Sequence, residues 1–236
     1  ADHPREFLKA FSGIAITDGY QVYHKLSKER PDLLIGGCWI HARRPFADFI
    51  KSIKGSADGT IAHKAYSLIT EMLHIDNGFD DLPSDDRLKQ RQLILTEKVD
   101  AYFEWVKLKY NQVTHNSTIG KALAYSIHQE PYLRTFLTDG DVPMDNNYAE
   151  QAIRPFTIGR KNFVLIESSN GARASAMIYS LVETAKANYL NVYQYLELLL
   201  TEISKHMNDT NLGFLDELLP WAPRIQEKCP SRYKKS

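Results

Sequence analysis

The sequence predicts an α/β protein in which a short parallel β unit is combined with a large all-helical region. The first observation is a strand, helix, strand order near the start of the chain. Residues 13–17 form a β-rich run that ends at Asp18-Gly19, residues 20–26 have helical spacing, and residues 33–39 form a second apolar strand. This order is typical of a right-handed parallel unit.

The second observation is helical spacing of apolar residues throughout residues 56–140. An acidic, turn-rich segment at residues 80–86 separates the first apolar stripe from the next. Such stripes indicate amphipathic helices, so we predict a helical insertion within the α/β framework. The three stripes are Ala62, Tyr66, Ile69, Met72 and Leu73; Leu88, Leu93, Leu95, Val99, Tyr102, Phe103 and Val106; and Leu123, Ile127, Tyr132, Leu133 and Phe136.

The remainder of the chain resumes a mixed pattern. A turn at residues 142–147 leads into a helix, residues 163–166 predict a short strand, and two amphipathic helices follow at residues 174–189 and 192–203. We therefore divide the chain into residues 1–55, 56–140, 141–205 and a C-terminal tail at 206–236.

Composition restricts the possible classes of protein. The 236 residues are 43% hydrophobic and 25% charged, as in an ordinary globular protein. The formal net charge is zero, so a site for a polyanion must come from local patches. Cys38 and Cys229 are too few for a disulfide framework, and no apolar run approaches the ~20 residues of a membrane span. We expect a reduced, cytoplasmic setting and no membrane partner.

Asp18 is the first residue with a possible chemical role. Open α/β sheets place ligands and metals at the carboxyl ends of their strands, and a carboxylate suits Mg²⁺ or Mn²⁺. The alternative is that Asp-Gly is simply a common turn dipeptide.

Glu150 also has two interpretations. Asn147 followed three residues later by Glu150 fits a helix-capping box, and Arg154 is spaced to pair with Glu150 along the helix. The second interpretation is a metal ligand, because Asp145, Asn146 and Asn147 precede Glu150 closely and form a dense polar cluster with it.

Basic residues accompany these carboxylates. Arg154, Arg160 and Lys161 follow Glu150, and Arg43-Arg44 follows the second predicted strand. Carboxylates can bind a divalent metal ion, and neighbouring arginines and lysines can bind phosphate. Together these groups suit phosphodiester chemistry. The alternative for the basic residues is an ordinary solvated surface.

Four motifs, in this order, resemble those of transposases of the insertion-sequence-sixty-six family. They are residues 17–20, 37–44, 145–155 and 159–162. Residues 178–186 are similar to a helix near the C-terminus of the family. The resemblance spans nearly the whole chain, and the ordered set is specific although no single motif is.

The resemblance implies a ribonuclease H-like fold whose Asp, Asp, Glu triad binds two Mg²⁺ or Mn²⁺ ions. Asp18 matches the second aspartate and Glu150 the glutamate, while Asp145, Asn146 and Asn147 are possible supporting residues. Arg43, Arg44, Arg154, Arg160 and Lys161 are then candidates for contacts with DNA phosphates. The implied partners are transposon ends, target DNA and further copies of the chain.

The family's first aspartate, in an Asp-Glu-Thr context, is not found in this sequence. We therefore expect a partial fold in a fragment of a longer protein, either expressed as such or made from a truncated gene. The fragment alone is expected to be inactive. Two alternatives remain open: a non-catalytic DNA-binding or assembly module, and a stand-alone ribonuclease H-like nuclease.

Overall fold

The structure of the chain, a computed structural model, describes residues 2–163 and 168–231. It divides into two compact units, residues 1–147 and 148–236, and each is described by itself. The described residues are mostly helical and contain one two-stranded parallel sheet. No described helix is both long and apolar enough to cross a membrane.

The first unit begins with the predicted strand, helix, strand order. After the short helix α1 (Asp2–Phe7), strand β1 (Gly13–Thr17) pairs with β2 (Leu33–Gly37) in parallel, and α2 (Gln21–Glu29) connects them. The predicted continuation of the second strand to residue 39 is wrong. Cys38 is extended and immediately precedes helix α3, whose first residue is Trp39.

Helices make up the rest of the first unit, as the spacing of residues 56–140 predicts. The caps explain two of the starts: Thr60 Oγ1 accepts the His63 N–H at 3.1 Å, and Ser117 Oγ accepts the Gly120 N–H at 3.0 Å. A π-helical turn (Arg91–Leu95) joins α5 to α6, and a 3₁₀ turn (Thr135–Leu137) follows α7. The helices are α3 (Trp39–Ser52), α4 (Ile61–Asn77), α5 (Ser84–Gln90), α6 (Thr96–Tyr110) and α7 (Thr118–Leu133).

Trp39 lies at the centre of the core of this unit. Its side chain is fully buried against Tyr102, Phe103 and Phe136, and its indole Nε1–H donates to the Leu133 carbonyl at 2.9 Å. Burying an aromatic ring removes a large apolar area from water, and the bonded indole leaves no donor unsatisfied. One residue thereby fixes the start of α3 against α6 and α7.

Arg91 is a buried cation within the π-helical turn. Its guanidinium bonds both carboxylate oxygens of Asp76, at 2.6 and 2.9 Å, and donates to the carbonyl of Val142 at 2.8 Å. The same Nη1 also reaches the carbonyl of Gly140 at 3.2 Å. The paired carboxylate offsets the cost of burying the charge, and the segment that leads to Asp145 is held in place.

The second unit is helical and begins within α8 (Asn147–Phe163). The predicted strand at residues 163–166 is wrong at Phe163, which ends this helix, and residues 164–166 lie outside the described part of the chain. The other elements are α9 (Ser169–Ala187), α10 (Val192–Lys205), a 3₁₀ turn (Gly213–Leu218) and α11 (Pro223–Lys228).

Part of the predicted C-terminal tail packs into the core of the second unit. Ile225 of α11 is fully buried, and the Tyr195 hydroxyl donates to the Leu218 carbonyl at 3.0 Å. Ala185, Leu190 and Leu199 belong to the same cluster. The tail residues 213–228 therefore complete a core that α9 and α10 begin.

Candidate active site

Asp18 lies at the carboxyl end of β1, as the sequence predicts. Its side chain is exposed and accepts the Tyr20 N–H at 3.1 Å, which closes a tight turn. Its backbone carbonyl accepts the hydroxyl of Tyr125, on α7, at 2.8 Å. The turn is thus fixed from both directions while the carboxylate stays accessible to solvent.

A cleft of about 430 Å³ opens beside Asp18. Its walls come from the end of β1, from the first half of α3 and from α7. Two carboxylates, a guanidinium and an imidazole share this space, so both metal-binding and phosphate-binding groups are present in it. The lining residues are Asp18, His41, Arg44, Pro45, Asp48, Thr118 and Tyr125.

Tyr125 is a fixed hydrogen-bond donor in this cleft. Burial raises the pKa of its hydroxyl to about 12, and the nearby Asp18 carboxylate acts in the same direction. The hydroxyl therefore stays protonated throughout the physiological range and keeps its bond to the Asp18 carbonyl. Its role is to hold the turn rather than to exchange a proton.

The two adjacent arginines of α3 have different surroundings. Arg44 is exposed and lines the cleft with Asp18. Arg43 is partly buried, donates to Thr70 Oγ1 at 3.0 Å and lies over the ring of Tyr66 at 5.1 Å. Its guanidinium is therefore engaged with α4, and its predicted contact with DNA stays a prediction.

The segment 144–147 meets the start of α3. The Trp39 N–H donates to the Met144 carbonyl at 2.9 Å, and the backbone N–H groups of His41 and Asn146 approach the Cys38 sulfur. Burial raises the pKa of the Cys38 thiol, so this sulfur is neutral at physiological pH. Within the first unit, the structure thereby brings residues 145–147, the start of the third sequence motif, next to the second motif.

Asp145 caps the start of α8. Its carboxylate accepts the Asn147 backbone N–H at 2.8 Å and the Asn147 side-chain amide at 2.9 Å. A negative charge at this position is favourable because the first N–H groups of a helix lack partners within the helix. The Oδ1 atom of Asn146 is buried and, among the described residues, has no hydrogen-bond partner.

The remaining predicted residues belong to the second unit. Glu150 lies in the first turn of α8 and is partly exposed, and Arg154 is exposed one turn later on the same helix. Arg160 and Lys161 fall within α8, but their side chains lie outside the described part of the chain.

The oxygen chemistry of Asp18 and Glu150 suits Mg²⁺ or Mn²⁺. Among residues 2–163 and 168–231, no three histidine, cysteine, aspartate or glutamate side chains form a group that could hold a metal ion.

Sequence reasoning missed Asp48, Thr118 and Tyr125. A signal existed for Asp48, because His41, Arg44 and Asp48 are spaced to share one face of a helix. No local signal existed for Tyr125, which is 107 residues from its partner Asp18.

Comparison with known proteins identifies the class. Residues 1–174 match the protein family described as "Transposase IS66 family", and residues 180–221 match the one described as "IS66 C-terminal element". The chain therefore belongs to the IS66 transposase family, as its motifs predict. No solved structure matches the chain significantly.

Curated relatives come from Sinorhizobium fredii. The uncharacterized protein y4qI is 31% identical over 228 residues, which cover 94% of this chain and 41% of the relative. The uncharacterized protein y4jD is 28% identical over 219 residues, covering 91% and 42%. The chain thus spans about two fifths of the length of these relatives.

Proposed function

We propose that the chain is a catalytic part of a DNA transposase that cuts and joins the ends of an insertion sequence. The observation that carries the proposal is the position of Asp18, exposed at the end of a parallel strand in a cleft shared with Arg44. Membership of the transposase family supports DNA as the substrate.

Asp18 and Glu150 are the proposed metal ligands, joined in the whole protein by the family's first aspartate. Bound Mg²⁺ or Mn²⁺ would activate the attacking water or 3′-hydroxyl and stabilise the departing 3′-oxygen. Arg44 and Arg154 would bind DNA phosphates, with Arg160 and Lys161 as further contacts. Such contacts add affinity without sequence specificity.

The proposed fold of the catalytic core is a partial ribonuclease H-like fold. Support comes from the parallel pairing of β1 and β2 through α2, with Asp18 at the end of β1. Further strands would come from parts of the protein outside this chain or from a second copy, since an exposed strand edge can accept a partner.

Transposition by the full-length protein tests the assignment. We expect Asp18→Asn and Glu150→Gln each to lower the transposition frequency by about a hundredfold or more, because loss of a supporting residue alone costs up to that factor. Asp58→Asn is a matched control, since the Asp58 side chain is 82% exposed and its contacts are with surface groups: His63 Nε2 at 3.5 Å and the Ser56 hydroxyl, which donates to it at 2.8 Å. Near wild-type transposition by either active-site variant would contradict the proposal.

A second function is favoured for the 236-residue chain on its own. Its described residues contain no group of three possible metal ligands, so the isolated chain is proposed to bind DNA or assist assembly without cutting. We expect no Mg²⁺-dependent nicking of plasmid DNA by the isolated chain. Nicking at a rate comparable to that of the full-length protein would favour a stand-alone nuclease.

A further inference from the structure

A second cleft, of about 600 Å³, lies between α2 and α7. Gly19, the residue after Asp18, lines it, and Tyr125 lines both this cleft and the one beside Asp18. The two spaces therefore share a border at the proposed catalytic carboxylate. We call the second space the α2–α7 cleft.

We propose that the α2–α7 cleft binds one unpaired nucleotide of a DNA strand whose neighbouring phosphate lies at Asp18. Lys25 and Lys28 bind the sugar-phosphate backbone, and Gln129 accepts a hydrogen bond from the base. This inference rests on the proposed function for the identity of the strand, and it adds a binding site for a nucleotide beside the scissile position.

The α2 wall of the cleft is basic. Lys25 and Lys28 are exposed, and their spacing places them on the same side of the helix as His24. Neither ammonium group forms an ion pair within the part of the chain that the structure describes. Two adjacent lysines that are not paired with a carboxylate among the described residues suit a phosphate group. A DNA strand beside Asp18 would supply such phosphates.

The α7 wall presents a buried hydrogen-bond acceptor, the side-chain oxygen of Gln129. Gln129 is only 7% exposed, and its Oε1 atom has no hydrogen-bond partner among the described residues. Buried polar atoms are normally paired, and an exception calls for a ligand or another explanation. A nucleobase supplies N–H donors along its edge, and a glutamine amide is a common reader of such edges.

The side-chain amide of Gln129 lies next to the turn at Asp18-Gly19. A Cβ atom on Gly19 would lie 3.1 Å from both Cδ and Nε2 of Gln129, so the amide packs directly against the backbone that follows Asp18. On the facing wall, the ring of His24 stacks on Tyr132 with the ring centroids 3.9 Å apart, and the buried His24 Nε2 also has no hydrogen-bond partner in the part of the chain that the structure describes. The cleft thus offers unsatisfied polar atoms from both walls.

These features favour a nucleotide over a free anion. A phosphate alone accounts for Lys25 and Lys28 but supplies no neutral N–H donor for Gln129. The volume of about 600 Å³ is within the range of small-molecule sites. The shared border with the Asp18 cleft also gives a strand a direct route from one space to the other.

Binding of a short single-stranded oligodeoxynucleotide to the 236-residue chain tests the lysines. The fluorescence anisotropy of a labelled strand is followed over a range of KCl concentrations in EDTA, so that no metal-dependent step contributes. We expect Lys25→Ala/Lys28→Ala to weaken binding about tenfold or more at low salt. The slope of log K against log salt should fall by about 1.4, or about 0.7 for each lost phosphate contact.

Lys64→Ala/Lys89→Ala is the matched control. It removes the same charge from exposed positions on α4 and α5, helices that line neither cleft. An equal loss of affinity in the two double variants would show only a general charge effect and would overturn the proposal. No measurable binding by the wild-type chain would overturn it as well.

Gln129→Met tests the contact with the base. Methionine keeps a similar volume and removes the acceptor, so binding of a normal strand should weaken about three- to tenfold with an unchanged salt slope. An abasic strand of the same length should bind wild type and Gln129→Met equally. Equal losses on the normal and abasic strands would contradict a base contact.

Thermal unfolding separates this role from a structural one. Because Gln129 Oε1 accepts no hydrogen bond from residues 2–163 or 168–231, Gln129→Met should leave the melting temperature unchanged or raise it. A clear fall in the melting temperature would assign Gln129 to the core instead.

Failure of the cleft and failure of the proposed function can be distinguished by experiment. Failure of the proposed function would appear as normal transposition by Asp18→Asn, whatever Lys25→Ala/Lys28→Ala does to binding. Failure of the cleft would appear as unaltered binding by the lysine variant, even if Asp18→Asn abolishes transposition.

Discussion

At the scale of single residues, Gly19 is where backbone geometry and the candidate site meet. Its φ of +87° lies in the left-handed region, which only glycine adopts without cost. Its Cα also faces the Tyr125 hydroxyl, which a Cβ would approach to 2.8 Å. The turn after Asp18 therefore needs glycine for two independent reasons.

We expect Gly19→Ala to lower the free energy of unfolding by more than the strain of φ alone. Gly59→Ala measures that strain, since Gly59 has a φ of +75° and no atom near its Cβ position, and it should cost about 1–2 kcal/mol. Gly19→Ala should cost at least about 1 kcal/mol more, because the new methyl group displaces Tyr125. Urea unfolding of both variants makes the comparison, and equal losses would show that the close contact is relieved cheaply.

Residues near one another in sequence were the ones that could be predicted. Asp18 at a strand end and the polar run before Glu150 are both local patterns. Tyr125 and Gln129 gain their importance from contact with Asp18-Gly19, which lies more than a hundred positions earlier. Patterns within one sequence carry no information about such pairs.

At the scale of elements, α3 connects the core to the candidate site. Its start is fixed by buried Trp39 and by the carbonyl of Met144, and its next turns supply His41, Arg44 and Asp48 to the cleft. The sequence predicted one apolar strand over residues 33–39, because Trp39, the first residue of α3, continues the apolar run of β2. Hydrophobicity alone does not mark where a buried strand ends and a buried helix begins.

Arg91 provides a test of the buried contacts that hold the segment leading to Asp145. Arg91→Met leaves the Asp76 carboxylate buried without its cation and frees several carbonyls, including that of Val142. We expect a loss of about 3–5 kcal/mol in the free energy of unfolding. Lys98→Met removes an exposed pair with Glu71 and should cost no more than about 1 kcal/mol. Chemical denaturation measures both, and a small loss for Arg91→Met would mean that the ion pair is replaceable.

Glu202 gives a corresponding test in the second unit. Hydrogen bonds from Lys205 and Arg224 lower the pKa of Glu202 from 4.5 to about 2. Because the pKa is lower in the folded state, the carboxylate stabilises the fold above the ordinary pKa, and this contribution is lost as the pH falls towards 2.

The expected result is a pH-dependent gap between wild type and Glu202→Gln. Wild type should be the more stable near neutral pH, and the difference should close between about pH 4.5 and pH 2. Urea unfolding at a series of pH values measures the gap. Glu197→Gln, a change of one carboxylate on the same helix, is the control. A gap that stays constant with pH would show that the ion pairs of Glu202 do not stabilise the unit.

At the scale of the whole molecule, the chain matches only part of the length of its curated relatives. It spans about two fifths of the curated relatives, and it contains one two-stranded sheet among its described residues. The family was predictable because its motifs lie in order within this sequence. The cleft beside Asp18 was not predictable, because Thr118 and Tyr125 come from positions far later in the chain.

The central claim is that Asp18 and Glu150 are ligands of the metal ion used in DNA cleavage, and replacement of each by cysteine tests it most directly. The measurement is cleavage of a transposon-end substrate by the full-length protein in Mg²⁺ and in Mn²⁺. A thiolate is a poor ligand for Mg²⁺ and a better one for a transition metal. We predict that Asp18→Cys and Glu150→Cys lose about a hundredfold or more in Mg²⁺ and recover part of that loss in Mn²⁺, whereas Asp58→Cys is active in both. Full activity of either active-site variant in Mg²⁺, or equal losses in the two metals, would contradict the claim.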